Sequence, residues 1–333
     1  WATGRVGLVG ISYPGISQLF VAQTRPPHLA AITPLSVIDD TYRGTLYPGG
    51  IYNDGFAKDW AQQRLDQNRW PNPKGAKWVE QRVAEGDETC IENLRLRGQN
   101  VDLMQTIRDN PYYSTDGIPG YPKGFDSVAP ARFVDRIEVP TFIAGAWQDE
   151  QTGGHFPAML PNFTGSPHVY VTLTNGLHTE SLSPSVARRY LEFLQLYVAK
   201  KVPDLSLGPV IASTLGGAIW GVGEFAPFEN RFADMTYEQA LAAFEGEKSV
   251  RVIFEQGGNA AYAPGTPEAN FTAEFDRWPI PQAVTTLWGL GDNGELVAGE
   301  QAAGNGVDSY TADPTALPTT FYTGDGNGVW RAD

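Results

Sequence analysis

The stretch that most constrains this chain is its beginning, from Arg5 to Gln23, RVGLVGISYPGISQLFVAQ. Val6, Gly7, Leu8 and Val9 read as a short apolar strand, and Ile16, Leu19, Phe20 and Ala22 recur at helical spacing. Between them lie only Gly10, Ile11, Ser12, Tyr13, Pro14 and Gly15. A strand that becomes a helix so quickly forces two backbones together, which favours glycine. Pro14 suits the first helical turn, where an N–H would have no intrahelical partner. A serine in such a turn has its hydroxyl lifted above the sheet edge, with the next residue's amide pointing the same way. Ser12 is therefore a candidate nucleophile. A plainer reading stays open, because the glycine stands at Gly15, one place later than in G-x-S-x-G, and a serine here could simply cap the helix.

Pro26 and Pro27 end that helix, and LAAITP from Leu29 reads as a second strand, so the chain opens as strand-helix-strand and predicts a parallel α/β sheet. DDTYRGTLYPGG, from Asp39 to Gly50, suits a loop over the sheet's C-terminal edge. From Ile51 to Asn110 the character is helical, with anchors such as Trp60, Trp70, Trp78, Leu94 and Leu103. This predicts a helical cap over about 51–130. VPTFIAG from Val139 and HVYVTL from His168 are two further apolar strands, and SVARRYLEFLQLYVAKK is the clearest helix in the chain. Beyond Pro203 the sequence turns glycine-rich, then gives the strand-like runs SVRVIFEQ, NFTAEFDRW and AVTTLWGL between Gly and Pro turns. The expected organisation is an α/β domain over 1–204 followed by part of an all-β sandwich or jelly-roll domain over 205–333.

Serine hydrolysis needs a nucleophile, a base within hydrogen-bond reach and an acid that orients the base. Ser12, Asp149 and His178 occur in the chain order Ser-acid-His, each after an apolar strand. In this reading His178 is the general base toward Ser12, and Asp149 holds its imidazole. Glu150 would replace Asp149 after a one-residue slip in register, and His155 is the second choice of base. The Tyr13 amide is the expected oxyanion donor. Tyr42, Tyr47, Tyr112, Tyr113 and Trp147 are candidate linings of a substrate pocket beneath the cap, although aromatic residues serve equally as core. The reading from a different class is a carbohydrate- or protein-binding module. It would leave Ser12, Asp149 and His178 dispersed and place the aromatics on an open β face.

Composition narrows the partners. At 333 residues two domains are expected, and 41% hydrophobic with 19% charged content describes a chain able to bury a core. A formal charge of −14, with 24 Lys and Arg scattered without a basic run, disfavours nucleic acid as a partner. The single cysteine, Cys90, excludes an intrachain disulfide and a thiolate cluster, and the four histidines lack metal-ligand spacing. No metal or cofactor is expected. No signal peptide and no membrane-length apolar run is read, so no membrane partner is expected, whereas the compartment and self-association stay open. The chain starts within a strand and ends on NGVWRAD, which reads as a fragment.

The words TGRVGLVGISYPG from Thr3, PPHLAAITP from Pro26, DTYRGTLYPGG from Asp40, NPYYS from Asn110 and IEVPTFIAGAWQDEQTGG from Ile137 carry a resemblance. So do RVIFEQGG, DRWPIP and WGLGDNGELV further on. The chain resembles the CocE/NonD hydrolases, the group of cocaine esterase, α-amino acid ester hydrolases, glutaryl acylases and X-Pro dipeptidyl-peptidases. Its serine motif G-x-S-Y-x-G accounts for the position of Gly15. The resemblance implies an α/β-hydrolase core, a helical cap and a C-terminal jelly roll, acting without cofactor on small ester, amide or peptide substrates. It implies Ser12 as nucleophile, Asp149 as the acid and His178 as the base. The chain departs from the family in TNGLHTE, which lacks the Trp usual before the histidine. It also lacks the strands, and the oxyanion-hole tyrosine, that precede the serine. That second departure leads to the expectation that this polypeptide is weak or inactive by itself.

Overall fold

The computed structural model describes residues 3–68, 77–97, 103–117 and 124–299, together with 307, 309–311 and 313. Trp70 and the closing residues 314–333 lie outside them. Five strands run parallel in chain order: β1 (Val6–Ile11), β2 (Leu29–Leu35), β3 (Thr141–Ala146), β4 (Val169–Thr174) and β5 (Val250–Phe254). The antiparallel strand β6 (Phe271–Phe275) follows on the far side of β5. β2, β3 and β4 were legible as apolar runs because parallel strands are covered on both faces, and every residue of β3 is buried, whereas β1 is only partly covered.

Helices cover both faces. Ile32, Ile143, Val171 and Val252 point to one layer, where they meet Leu19 of α1 (Tyr13–Ala22) and Phe133, Phe156 and Met159 from short helical turns. Phe142, Ala144, Tyr170 and Ile253 point to the other, against residues after β4 such as Phe193 and Phe244. Neighbouring residues thus alternate between two cores, as a pleated strand requires.

The cap comprises α2 (Phe56–Asn68), α3 (Lys77–Ala84), α4 (Glu88–Arg97) and α5 (Leu103–Asp109), with α2 packed on α5 and α3 on α4. Its core also includes Tyr42, Leu46 and Tyr47. These belong to the segment read as a loop, which instead winds into helical turns over Thr41–Leu46 and Pro48–Gly50. The Asp40 side chain accepts from the Arg43 amide and starts the first of these turns.

The C-terminal half departs from expectation. After α6 (Pro184–Leu194), the glycine-rich apolar run forms α7 (Gly208–Ile219), whereas TYEQALAAFEG, whose composition predicts a short helix, forms α8 (Tyr237–Glu245), capped by Thr236 and Gln239. β5 and β6, read as strands of a separate β domain, hydrogen-bond into the main sheet. The chain consequently divides after Trp278 rather than near 205. The physical reason is that period-2 alternation says which face of a strand is apolar but not which sheet the strand joins, and β4 offers an unpaired edge. Within Pro279–Asp333, the described residues contain one antiparallel pair, β7 (Trp288–Leu290) and β8 (Leu296–Ala298), about a turn at Asp292–Gly294.

Candidate active site

Ser12 directly follows β1 and precedes α1, with φ 63° and ψ −131°. A non-glycine residue in that conformation costs about 1–3 kcal/mol and is kept only where its surroundings fix it. Here they do. The Ser12 amide donates to the Leu35 carbonyl at 2.9 Å, and its own carbonyl accepts from the Ile16 amide at 2.7 Å. The two glycines are sterically required: a Cβ on Gly10 would come within 2.5 Å of the Pro14 Cβ, and one on Gly15 within 2.5 Å of the Leu35 oxygen. Gly15 stands one place late because α1 crosses the end of β2 at that point. The Ser12 hydroxyl makes no capping hydrogen bond to α1, so the plainer role of a helix cap does not describe it.

Buried Gln18 fastens the helix to the sheet. Its Oε1 accepts from the Thr33 amide at 2.8 Å, and its Nε2 donates to the Pro14 carbonyl at 3.1 Å. Thr33 and Pro34 fall between the paired positions of β2 and β3, so the side chain supplies the partner that the ladder does not.

Asp149 and His178 come from the turns after β3 and β4, and both are buried. His178 Nδ1 lies 2.8 and 2.9 Å from the two Asp149 carboxylate oxygens. Because an ionised carboxylate only accepts, Nδ1 is the protonated nitrogen and Nε2 the basic one. Thr152 completes the acid's surroundings. Its amide donates to Asp149 Oδ1 at 2.8 Å and its hydroxyl to Oδ2 at 2.6 Å. Burial pushes the Asp149 carboxyl up, but the hydrogen bond and charge of His178 and the donors of Thr152 outweigh it and hold the group below its usual 3.8. Glu150, the alternative acid, touches the same residue elsewhere and accepts from the His178 amide at 3.0 Å. His155, the alternative base, is exposed and not bonded to Asp149.

The turn bearing His178 (His178–Leu182) packs against β1 and β3. Ser36 donates its hydroxyl to the His178 carbonyl at 2.7 Å, and Ser181 does so at 3.2 Å. Ser36 directly follows Leu35, the residue that holds the Ser12 amide. Among the described residues no hydrogen bond joins Ser12 to His178. The Tyr13 amide is one of the first N–H groups of α1, which have no intrahelical acceptor, and the Tyr13 side chain is exposed.

A cavity of about 510 Å³ opens at Ser12. Tyr13, Phe20, Ile38, Leu46 and Trp60 give it a mainly apolar wall, and Gln151 and Thr152 form a polar side. None of the five aromatics expected in the pocket lines it. Tyr42 and Tyr47 are buried in the cap core, their rings 4.8 Å apart and their hydroxyls on the Pro111 and Ile107 carbonyls. Tyr113 bonds Asp126, Tyr112 is 83% exposed, and the Trp147 ring lies 6.3 Å from Trp278. A count of aromatics cannot separate a wall from a core, because both roles require the same apolar rings. Thr152, Ser36 and Ser181 carry no functional motif in the sequence, and Trp60 is marked there only as an apolar anchor of the cap. Of these only Thr152 has a local signal, an Asp followed three residues later by a donor in the pattern of an Asx turn.

Among the described residues there is no cluster of side chains fit to hold a metal ion, and no helix is long and apolar enough to cross a membrane.

The chain resembles solved structures in fold. A CocE/NonD family hydrolase from Staphylococcus aureus superposes with a TM-score of 0.50 at 17% identity, covering 87% of this chain and 37% of the other. An aminopeptidase from a marine sediment archaeon of the Thaumarchaeota gives 0.47 at 15% identity, covering 89% of this chain and 42% of that one. An α-amino acid ester hydrolase gives 0.43 at 14% identity, covering 89% and 43%. The chain thus spans about two fifths of the length of these neighbours. No curated protein matches it in sequence. Residues 1–180, which include Ser12, Asp149, His178 and the lining of the Ser12 cavity, match the model of the X-Pro dipeptidyl-peptidase (S15) family, and the chain belongs to that family.

Proposed function

We propose that the chain carries the reaction centre of a serine hydrolase acting on a carboxylic ester or acyl-amide bond. Ser12 Oγ attacks the carbonyl carbon, and His178 Nε2 takes the hydroxyl proton. The Tyr13 amide faces the developing oxyanion, and the proton passes to the leaving group as the acyl-enzyme forms. Water, deprotonated by the same imidazole, releases the acid. The observation that carries this reading is the buried His178–Asp149 pair, with distances of 2.8 and 2.9 Å, in the same molecule as a Ser12 held at φ 63° on a cavity wall. A binding module has no use for either arrangement.

X-Pro dipeptide cleavage is the second reading, and the family supports it. It needs an anionic group to hold a free N-terminal ammonium, and among the described residues no Asp or Glu lines the Ser12 cavity. This favours the ester or acyl-amide reading. We further infer that the β7–β8 hairpin belongs to a jelly-roll domain like that of the CocE/NonD group.

Labelling the 333-residue chain with a fluorophosphonate tests the chemistry. Covalent labelling lost in Ser12→Ala and in His178→Ala is expected. Labelling retained in Ser12→Ala overturns the nucleophile, and labelling retained in His178→Ala transfers the base to another residue. A panel of aryl esters, amino acid esters and X-Pro amides then separates the two substrate classes.

A further inference from the structure

One side chain in the Ser12 cavity has no part in the chemistry above. Arg64 projects from α2 one helical turn beyond Trp60, on the same face of the cap. Its guanidinium carbon lies 5.4 Å from the centre of the Trp60 ring, and that ring stands 5.9 Å from the ring of Tyr13. Arg64, Trp60 and Tyr13 thus form a continuous wall from the cap to the residue beside the nucleophile, and all three line the same cavity as Ser12.

Among the described residues no carboxylate neutralises the charge on this wall. Arg64 is, among the described residues, the only Asp, Glu, Lys, Arg or His side chain lining the cavity. Its Nε is buried without a hydrogen-bond partner. Other cations of the region have found carboxylates, Lys58 with Asp54 at 2.6 Å and Arg43 with Asp40 at 2.6 Å. Among the described residues Arg64 has none. A buried donor left unsatisfied destabilises a fold, whereas the planar fork of a guanidinium is suited to a carboxylate and stays charged throughout the physiological range. The apolar residues around it lower the local dielectric and strengthen any such pair.

We infer that Arg64 is a recognition site for a carboxylate carried by the substrate group that fills the Ser12 cavity. The inference rests on the serine-hydrolase reading only for naming the occupant a substrate. It gives the substrate class as an apolar acyl or leaving group ending in a carboxylate. It also sets the cavity against a free ammonium, which the fixed cation would repel.

Three probes of one shape and different charge test this: 4-phenylbutyrate, 4-phenylbutanol and 4-phenylbutylamine, titrated calorimetrically into the full chain bearing Ser12→Ala. The acid is expected to bind at least tenfold more tightly than the alcohol, and the amine more weakly than both. Arg64→Met should bring the acid down to the affinity of the alcohol while leaving alcohol binding within about twofold, since the apolar wall stays. Arg64→Lys, which keeps the charge without the fork, should retain part of the preference and serves in place of Arg64→Met if that variant does not fold. Equal affinities for acid and alcohol, a preference that survives Arg64→Met, or no binding of any probe would overturn the assignment. Because nothing is turned over, loss of the acid preference leaves Ser12-dependent labelling intact. Absence of labelling, conversely, leaves the binding preference standing.

Discussion

The hydroxyl of Ser36 donates to the carbonyl of His178 at 2.7 Å, across 142 residues of sequence. Through its neighbour Leu35, which accepts the Ser12 amide, it ties the serine turn and the histidine turn to one end of β2. Removing that bond should disturb the site more than the fold. Ser36→Ala is expected to slow fluorophosphonate labelling by about threefold to tenfold, equivalent to the ~1 kcal/mol of a single hydrogen bond. The remaining bond from Ser181 limits the loss. An unchanged labelling rate would show that Ser36 does not position His178.

Asp149→Asn keeps the size of the side chain and removes its charge. With an amide at that position the imidazole loses the partner that holds its proton on Nδ1. Labelling should fall by a factor on the order of 10³–10⁴, with the circular dichroism spectrum preserved. A reduction of less than tenfold would mean that the pair in the structure does not serve the reaction.

The strained serine predicts opposite effects on stability and activity. Ser12→Gly relieves a positive φ that glycine adopts freely, so the variant should abolish labelling and yet gain about 0.5–2 kcal/mol in denaturant unfolding. A less stable variant would contradict the strain.

Gly15→Ala places a Cβ 2.5 Å from the Leu35 oxygen, a backbone atom that cannot swing aside. It should lower stability by about 1–3 kcal/mol. Gln18→Leu leaves the Thr33 amide unpaired in the core and should cost about 1–3 kcal/mol. Both are measured by urea unfolding against the parent chain, and an unfolding midpoint equal to the parent's would refute either assignment.

The pH dependence of stability follows from the lowered pKa of Asp149. Its folded value lies below 3.8, so its stabilising contribution is complete above the unfolded value and is lost as pH falls through the folded one. Asp149→Asn should therefore narrow the stability difference between neutral pH and about pH 3. A variant with the same acid unfolding curve as the parent would rule this out.

What the sequence disclosed depended on whether the physics was local. The serine turn is specified by neighbours within a few residues, and the strands ahead of Asp149 and His178 are continuous apolar runs, so all three candidate residues were legible in order. Thr152 was almost as local. Ser36 and Trp60 were not, because nothing near Ser36 announces a carbonyl arriving from 142 residues away. The cap lies on the site through the far face of α2, which its weak periodicity does not mark. The aromatic lining of the cavity was not legible for a related reason. Tyr42 and Tyr47 sit within the motif that carries the resemblance, yet their rings face each other inside the cap core.

The strand β5 also bears on how this protein is to be handled. Tyr170 of β4 packs in the core that includes Phe244, and Val171 pairs in register with Val250 of β5, so the strand that leads to His178 rests on chain that comes some seventy positions later. Trimming at 204 to isolate the hydrolase part would strip β4 of its neighbour and open both cores to water. The smallest piece to express is the one that ends at Trp278, and a shorter one is expected to aggregate along the bared edge of β4.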